Sequence, residues 1–266
     1  MPQEKMTLSP GCQVCAAWKY ATARSILAPL LKGLILSLGF SMTFISSSNA
    51  HDYWYEVNGQ GYVLYRGHHH IQHEGEEVVP YDPSIVKKIY CESTGGVVQE
   101  IDPPSQYPAQ IPGPCASLVV EVNSGYWSQT WTETLNQARD EVPDVVYSWQ
   151  ALEGAKLVNS WSNVNNLRPL SKGLEIVLEK NPFLLEVGQK LRLLVTQDGK
   201  PRSGVTVAYD GDPRGVTGKD GRINIRVRHP GPQVITGSVD EPPLDKKKSE
   251  KLIRATALFF ELPAEP

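Results

Sequence analysis

No Gly-x-Ser-x-Gly elbow, His-Glu-x-x-His helix or phosphate-cradling glycine loop occurs in this sequence, so the commonest hydrolase, metalloprotease and nucleotide-binding signatures are missing. Basic residues are not in excess either. Against 26 Lys and Arg stand 29 Asp and Glu, and a nucleic-acid partner wants a basic face. Past residue 50 no apolar run approaches the ~20 residues that a membrane-spanning helix needs. Asp210-Gly-Asp-Pro213 has too few spaced oxygen donors for a calcium loop and reads as a turn.

Cysteine is scarce, with Cys12 and Cys15 at the front and only Cys91 and Cys115 further on. The front pair belongs to a leader. Lys19, Arg24 and Lys32 flank an apolar stretch over residues 33–45, and Ser48-Asn49-Ala50 supplies a small-x-small cleavage site. Residues 1–50 therefore read as a signal peptide, removed after Ala50, with no membrane anchor left in the product. The 216 residues that follow keep 22 basic and 28 acidic side chains. An even cysteine pair in an exported chain predicts a Cys91–Cys115 disulfide rather than metal ligands.

Histidine is concentrated instead. Five of the six fall within 23 residues, His51, His68, His69, His70 and His73. Cleavage after Ala50 makes His51 the first residue, so its α-amine and imidazole together form a two-nitrogen chelate. Neutral imidazole suits nickel, cobalt, copper and zinc. Asn58-Gly-Gln-Gly61 reads as a hairpin turn between two strands. If Asn58 and Gly61 close it, His51 lies across from His68. If Asn58-Gly59 is a two-residue turn, His51 faces Arg66 and His68 is diagonal to it. The expected metal ligands are His51, His68, His70 and His73, with Glu74, Glu76 and Glu77 near enough to add an oxygen or to orient a ring.

Composition divides the remainder into an N-terminal β-rich, metal-binding segment over residues 51–165 and a C-terminal segment over 172–266. The first holds all five tryptophans that follow the leader, and the second has none. Residues 162–171 are polar and read as a linker. In the second segment, residues 174–178, 190–195, 205–209, 222–227, 233–239 and 255–261 are β-branched or alternating. Asp198-Gly199, Asp210-Gly211, Asp220-Gly221 and Pro230-Gly231 punctuate them as turns. The expected fold is all-β, two sandwich-like domains with the second immunoglobulin-like. One segment, Gln129 to Glu141, reads as a helix ended by Pro143.

Several motifs in order resemble the periplasmic family linked to nickel and cobalt uptake (the NikM/NikK-type nickel-uptake substrate-specific region). They are Ala50-His51-Asp52-Tyr53-Trp54, Gly67-His68, Gly75-Glu76, Pro80-Tyr81-Asp82-Pro83, Gly173-Leu-Glu-Ile-Val177, Asn181-Pro182, Val187-Gly188, Gly199-Lys200-Pro201 and Thr217-Gly-Lys-Asp-Gly-Arg222. The resemblance implies a periplasmic, non-enzymatic protein that captures Ni²⁺ or Co²⁺ and delivers it to a membrane uptake transporter. By position it carries over His51 and His68 as ligands; the triple histidine departs from the family pattern. Two rivals stand beside it. One is a copper oxidoreductase built on an N-terminal histidine brace; the other is a structural or adhesion sandwich with no specific metal.

Overall fold

Short segments rich in β-branched residues, cut by Asp-Gly and Pro-Gly turns, favour strands over helices. The structure, a computed structural model, describes residues 52–68, 77–161 and 167–263. In chain order its strands are β1 (Asp52–Asn58), β2 (Gly61–His68), β3 (Glu77–Val78), β4 (Val86–Glu92), β5 (Val98–Ile101), β6 (Ala109–Pro112), β7 (Ser117–Gln129), β8 (Thr134–Leu135) and β9 (Tyr147–Val158). Then follow β10 (Glu175–Leu178), β11 (Lys190–Gln197), β12 (Lys200–Pro201), β13 (Thr206–Tyr209), β14 (Asp212–Val216), β15 (Arg222–Arg226), β16 (Gly231–Glu241) and β17 (Lys251–Leu262). The helical elements among the described residues are single 3-10 turns.

The strands form one long sheet and two small ones. The long sheet runs β14-β13-β16-β17-β9-β7-β4-β5, with β8 beside β7. One small sheet is β1-β2-β3 with β6 also on β2, and the other is β10-β11-β12 with β15 also on β11. Successive side chains of a strand point to opposite faces, and β17 shows what each face meets. Ala257 and Phe259 join a core with Trp54, Leu64, Ile89 and Val120. Leu258, Phe260 and Leu262 join a second core with Ile176, Leu193, Val207 and Ile235. The long sheet is thus a middle layer with one small sheet on each face, an all-β, sandwich-like architecture.

β17 pairs in parallel with β9, from Lys251↔Trp149 to Phe259↔Leu157, and antiparallel with β16. The long sheet therefore takes strands from both compositional segments, and Asn49–Pro266 forms one compact unit. β10, β11, β13, β15, β16 and β17 coincide with the six segments expected in the second half. Asp198 and Asp210 adopt φ of +52° and +51°, followed by glycines at +71° and +80°, the left-handed backbone that such turns require. Cys91 of β4 and Cys115, two residues before β7, form the expected disulfide with Cα atoms 5.3 Å apart.

The expected helix at residues 129–141 does not form. The Thr130 hydroxyl accepts the N–H groups of Thr132 and Glu133, and the Thr130 N–H bonds to the Glu133 carbonyl. A hairpin to β8 results, with Trp131 at its tip and 84% exposed. Side-chain-to-backbone bonds of this kind compete with helix, and Thr130, Thr132 and Thr134 are β-branched residues of low helix propensity.

Of the expected linker, residues 162–166 lie outside the described residues, and the rest is tied down. Leu170 and Ser171 donate their N–H groups to the Glu175 carboxylate, and Lys172 and Gly173 donate theirs to Glu121. Glu175 also receives the Lys156 ammonium at 2.7 Å, with only 1% and 2% of the two side chains exposed.

Candidate functional site

The site is built from the hairpin upward. The Asn58 side chain accepts the Gln60 N–H at 2.9 Å, and Asn58 and Gly61 close the turn. Position 61 needs glycine: its φ is +149°, and a Cβ there would lie 2.2 Å from the Ile111 carbonyl oxygen. Of the two registers the sequence allowed, the first is therefore adopted, running from Asn58↔Gly61 to Asp52↔Gly67. At that far end Gly67 also pairs with Val78, and His68 with Glu77. The start of β1 and the whole of β3 thus flank the end of β2 on either side.

The backbone of His68 is placed by this pairing. His51, His69, His70 and His73 lie outside the described residues, as do Glu74 and Glu76. Among the described residues no three His, Cys, Asp or Glu side chains converge as a metal site.

Beneath the start of β1 lies a buried polar line. The Tyr53 hydroxyl is 3.0 Å from the Ser124 hydroxyl, and Ser124 in turn donates to the Glu153 carboxylate. A serine hydroxyl has one proton, so Tyr53 is the donor to Ser124. Burial first, and then the Glu153 charge, push the Tyr53 phenol well above its ordinary range. Burial likewise raises Tyr81 to about 12. Both phenols remain neutral donors. Tyr55, next on the same face of β1, donates to the Ala155 carbonyl at 2.7 Å, and on the other face Trp54 stacks against Tyr65.

Alongside, a row of rings crosses the long sheet. Arg66 of β2 lies 5.5 Å above Trp127. Trp127 stacks with its register partner Trp149, Tyr147 leans on Trp149, and Lys251 lies 5.0 Å from the Tyr147 ring. The ring faces are turned to one another and to the two cations, which leaves little open aromatic face. Nothing in the sequence links these groups. Tyr53 is 71 residues from Ser124, and strand pairing alone brings them together.

The sixth histidine is far from the others in sequence and has a different setting. His229 stacks on Tyr209, with Nε2 2.8 Å from Asp210 and Nδ1 2.9 Å from the Pro230 carbonyl. Burial would lower its pKa, but the Pro230 carbonyl and the Asp210 carboxylate outweigh it and the net shift is upward. A raised histidine contributes stability that is complete below about 6.5 and is lost as pH rises through the folded pKa. The melting temperature of His229→Gln is therefore expected to fall further below wild type at pH 5.5 than at pH 8.5. An equal difference at both pH values would show that the imidazolium contributes nothing.

A family model described as a domain of unknown function, DUF4198, matches residues 48–240. The chain belongs to the DUF4198 family. The DUF4198 match takes in all four expected ligands, the disulfide and the Tyr53–Ser124–Glu153 line. It ends within β16, one strand short of the β17 that joins β16 to β9. The family description names no metal, substrate or partner. No curated protein and no solved structure matches the chain.

Proposed function

We propose that this is an exported, non-enzymatic protein that captures a divalent transition metal, Ni²⁺ or Co²⁺, and delivers it to a membrane uptake transporter. The observation that carries the reading is the hairpin register. Its last pair, Asp52↔Gly67, sets the residue after His51 against the residue before His68. The donor set is the α-amine and ring of His51 with the rings of His68 and of His70 or His73, a nitrogen-rich set that suits nickel and cobalt as it does copper and zinc. The leader and the Cys91–Cys115 disulfide support export to an oxidising compartment such as the periplasm. Among the described residues no helix is long and apolar enough to cross a membrane.

Isothermal titration tests the proposal, using protein that begins at His51 beside a copy carrying one extra residue ahead of it. Tight one-to-one Ni²⁺ or Co²⁺ binding that collapses in the extended copy is the expected outcome. Because ligand nitrogens must be deprotonated, affinity should weaken as pH falls through about 6.5. Equal binding by both copies would remove the amine from the site, and no stoichiometric binding by either would sink the metal reading. Tighter Cu²⁺ binding is expected of any such donor set. Oxygen-dependent turnover with copper would be needed to favour the histidine-brace oxidoreductase.

A further inference from the structure

A first strand frays unless something ties it down. β1 hydrogen-bonds to a single neighbour, β2, within its small sheet, yet its first side chains are pinned to the long sheet below. Tyr53, 2% exposed, reaches Ser124 at 3.0 Å and through it Glu153; Tyr55 reaches the Ala155 carbonyl at 2.7 Å. Both anchors lie within four residues of the expected mature terminus. Tyr53 is the nearer, two positions after His51.

We infer that Tyr53, held through Ser124 and Glu153, is a positioning residue that fixes the start of β1 so that a chelate at the chain terminus is set for its metal before binding. The inference rests on the function proposed above. A metal site whose donors sit on a frayed strand must lose that freedom on binding, and pre-ordering removes the cost. Fixing the backbone of one residue costs about 1–2 kcal/mol, or roughly a tenfold change in affinity. Without its hydroxyl, position 53 still fills the core between Ser124 and Tyr81. Ser124 keeps Glu153 as its acceptor, so no buried charge is stranded.

The test is a double-mutant cycle read by Ni²⁺ titration. Tyr53→Phe is made in protein beginning at His51 and in the copy with one extra residue ahead of His51. The hydroxyl is expected to matter where the terminal amine can act as a ligand. Tyr53→Phe should weaken Ni²⁺ binding about tenfold in the first background and by less than about twofold in the second, with closely similar melting temperatures. A role in general stability would move both backgrounds by the same factor, and that result overturns the inference while leaving the metal site standing. No Ni²⁺ binding by the unmutated chain overturns the proposed function and this inference with it. Should Tyr53→Phe melt far below the unmutated chain, Glu153→Gln weakens the same line from its other end. In that variant a smaller loss confined to the first background is expected, and a loss shared by both backgrounds overturns the inference equally.

Discussion

Lys156→Met is expected to destabilise the protein by roughly 3–5 kcal/mol, because it removes one partner of a buried ion pair and leaves the other charged. Lys156 points from β9 to Glu175 at 2.7 Å, and the two side chains are 2% and 1% exposed. A second acid, Glu92, is also 1% exposed. Burial raises the Glu92 carboxyl above its ordinary range, while the Lys156 charge acts in the opposite direction. Among the described residues the lysine is therefore the one nearly buried cation beside these two nearly buried acids. Arg168, half-exposed, assists Glu92 from 3.8 Å. Methionine matches the length of lysine and fills its space, so the loss reports on charge rather than on a cavity. For a chain of this size such a loss corresponds to a fall in melting temperature of about 6–20 °C.

Lys156→Met combined with Glu175→Gln should recover part of that loss, since a neutral amide can still accept bonds from the Leu170 and Ser171 N–H groups. Urea denaturation at pH 7 measures both variants. A single-variant loss below about 1 kcal/mol would place the pair in the range of solvent-screened surface bridges and refute its assignment as a buried network.

Replacing Cys91 and Cys115 together by serine should cost about 3.5 kcal/mol, the chain-entropy value for a loop of this size. The two are 24 residues apart in sequence. The bridge has a local consequence as well. The Tyr62 hydroxyl accepts the Cys115 N–H at 2.8 Å and lies 3.1 Å from the Cys115 carbonyl. Asn159 donates to both Tyr62 and the Cys115 carbonyl. The disulfide thereby steadies the contact through which β2 rests on the long sheet. Denaturant melts of the oxidised and the double-serine forms should differ in midpoint. The serine form should also have the larger m-value, because an uncrosslinked denatured chain exposes more surface. Identical midpoints would mean that the strand pairing between β4 and β7 already fixes this loop.

The sequence alone determined the local choices. Alternating β-branched segments between Asp-Gly turns specified the strands of the second half, because strand period and left-handed turn chemistry are properties of neighbouring residues. The even pair of cysteines after the expected leader specified the disulfide. Asn58-Gly-Gln-Gly61 specified a hairpin but allowed two registers, and contact decided between them: the Asn58 bond to Gln60 and the close approach of Gly61 to Ile111. Residues 129–141 read as a helix from their local pattern, and the Thr130 hydroxyl bonds made a hairpin there instead. The tertiary structure alone decided what lies far apart in sequence. It inserted β17 between β16 and β9, placed Lys156 between buried acids, and set Tyr53 on Ser124 and Glu153. Such partners meet only when whole sheets stack, and no short-range pattern encodes which residues a long sheet presents to each face. The histidines belong to the first kind of information: their clustering near the expected cleavage site is plain in the sequence, and the hairpin register supplies the one tertiary fact that draws residues 52 and 67 together.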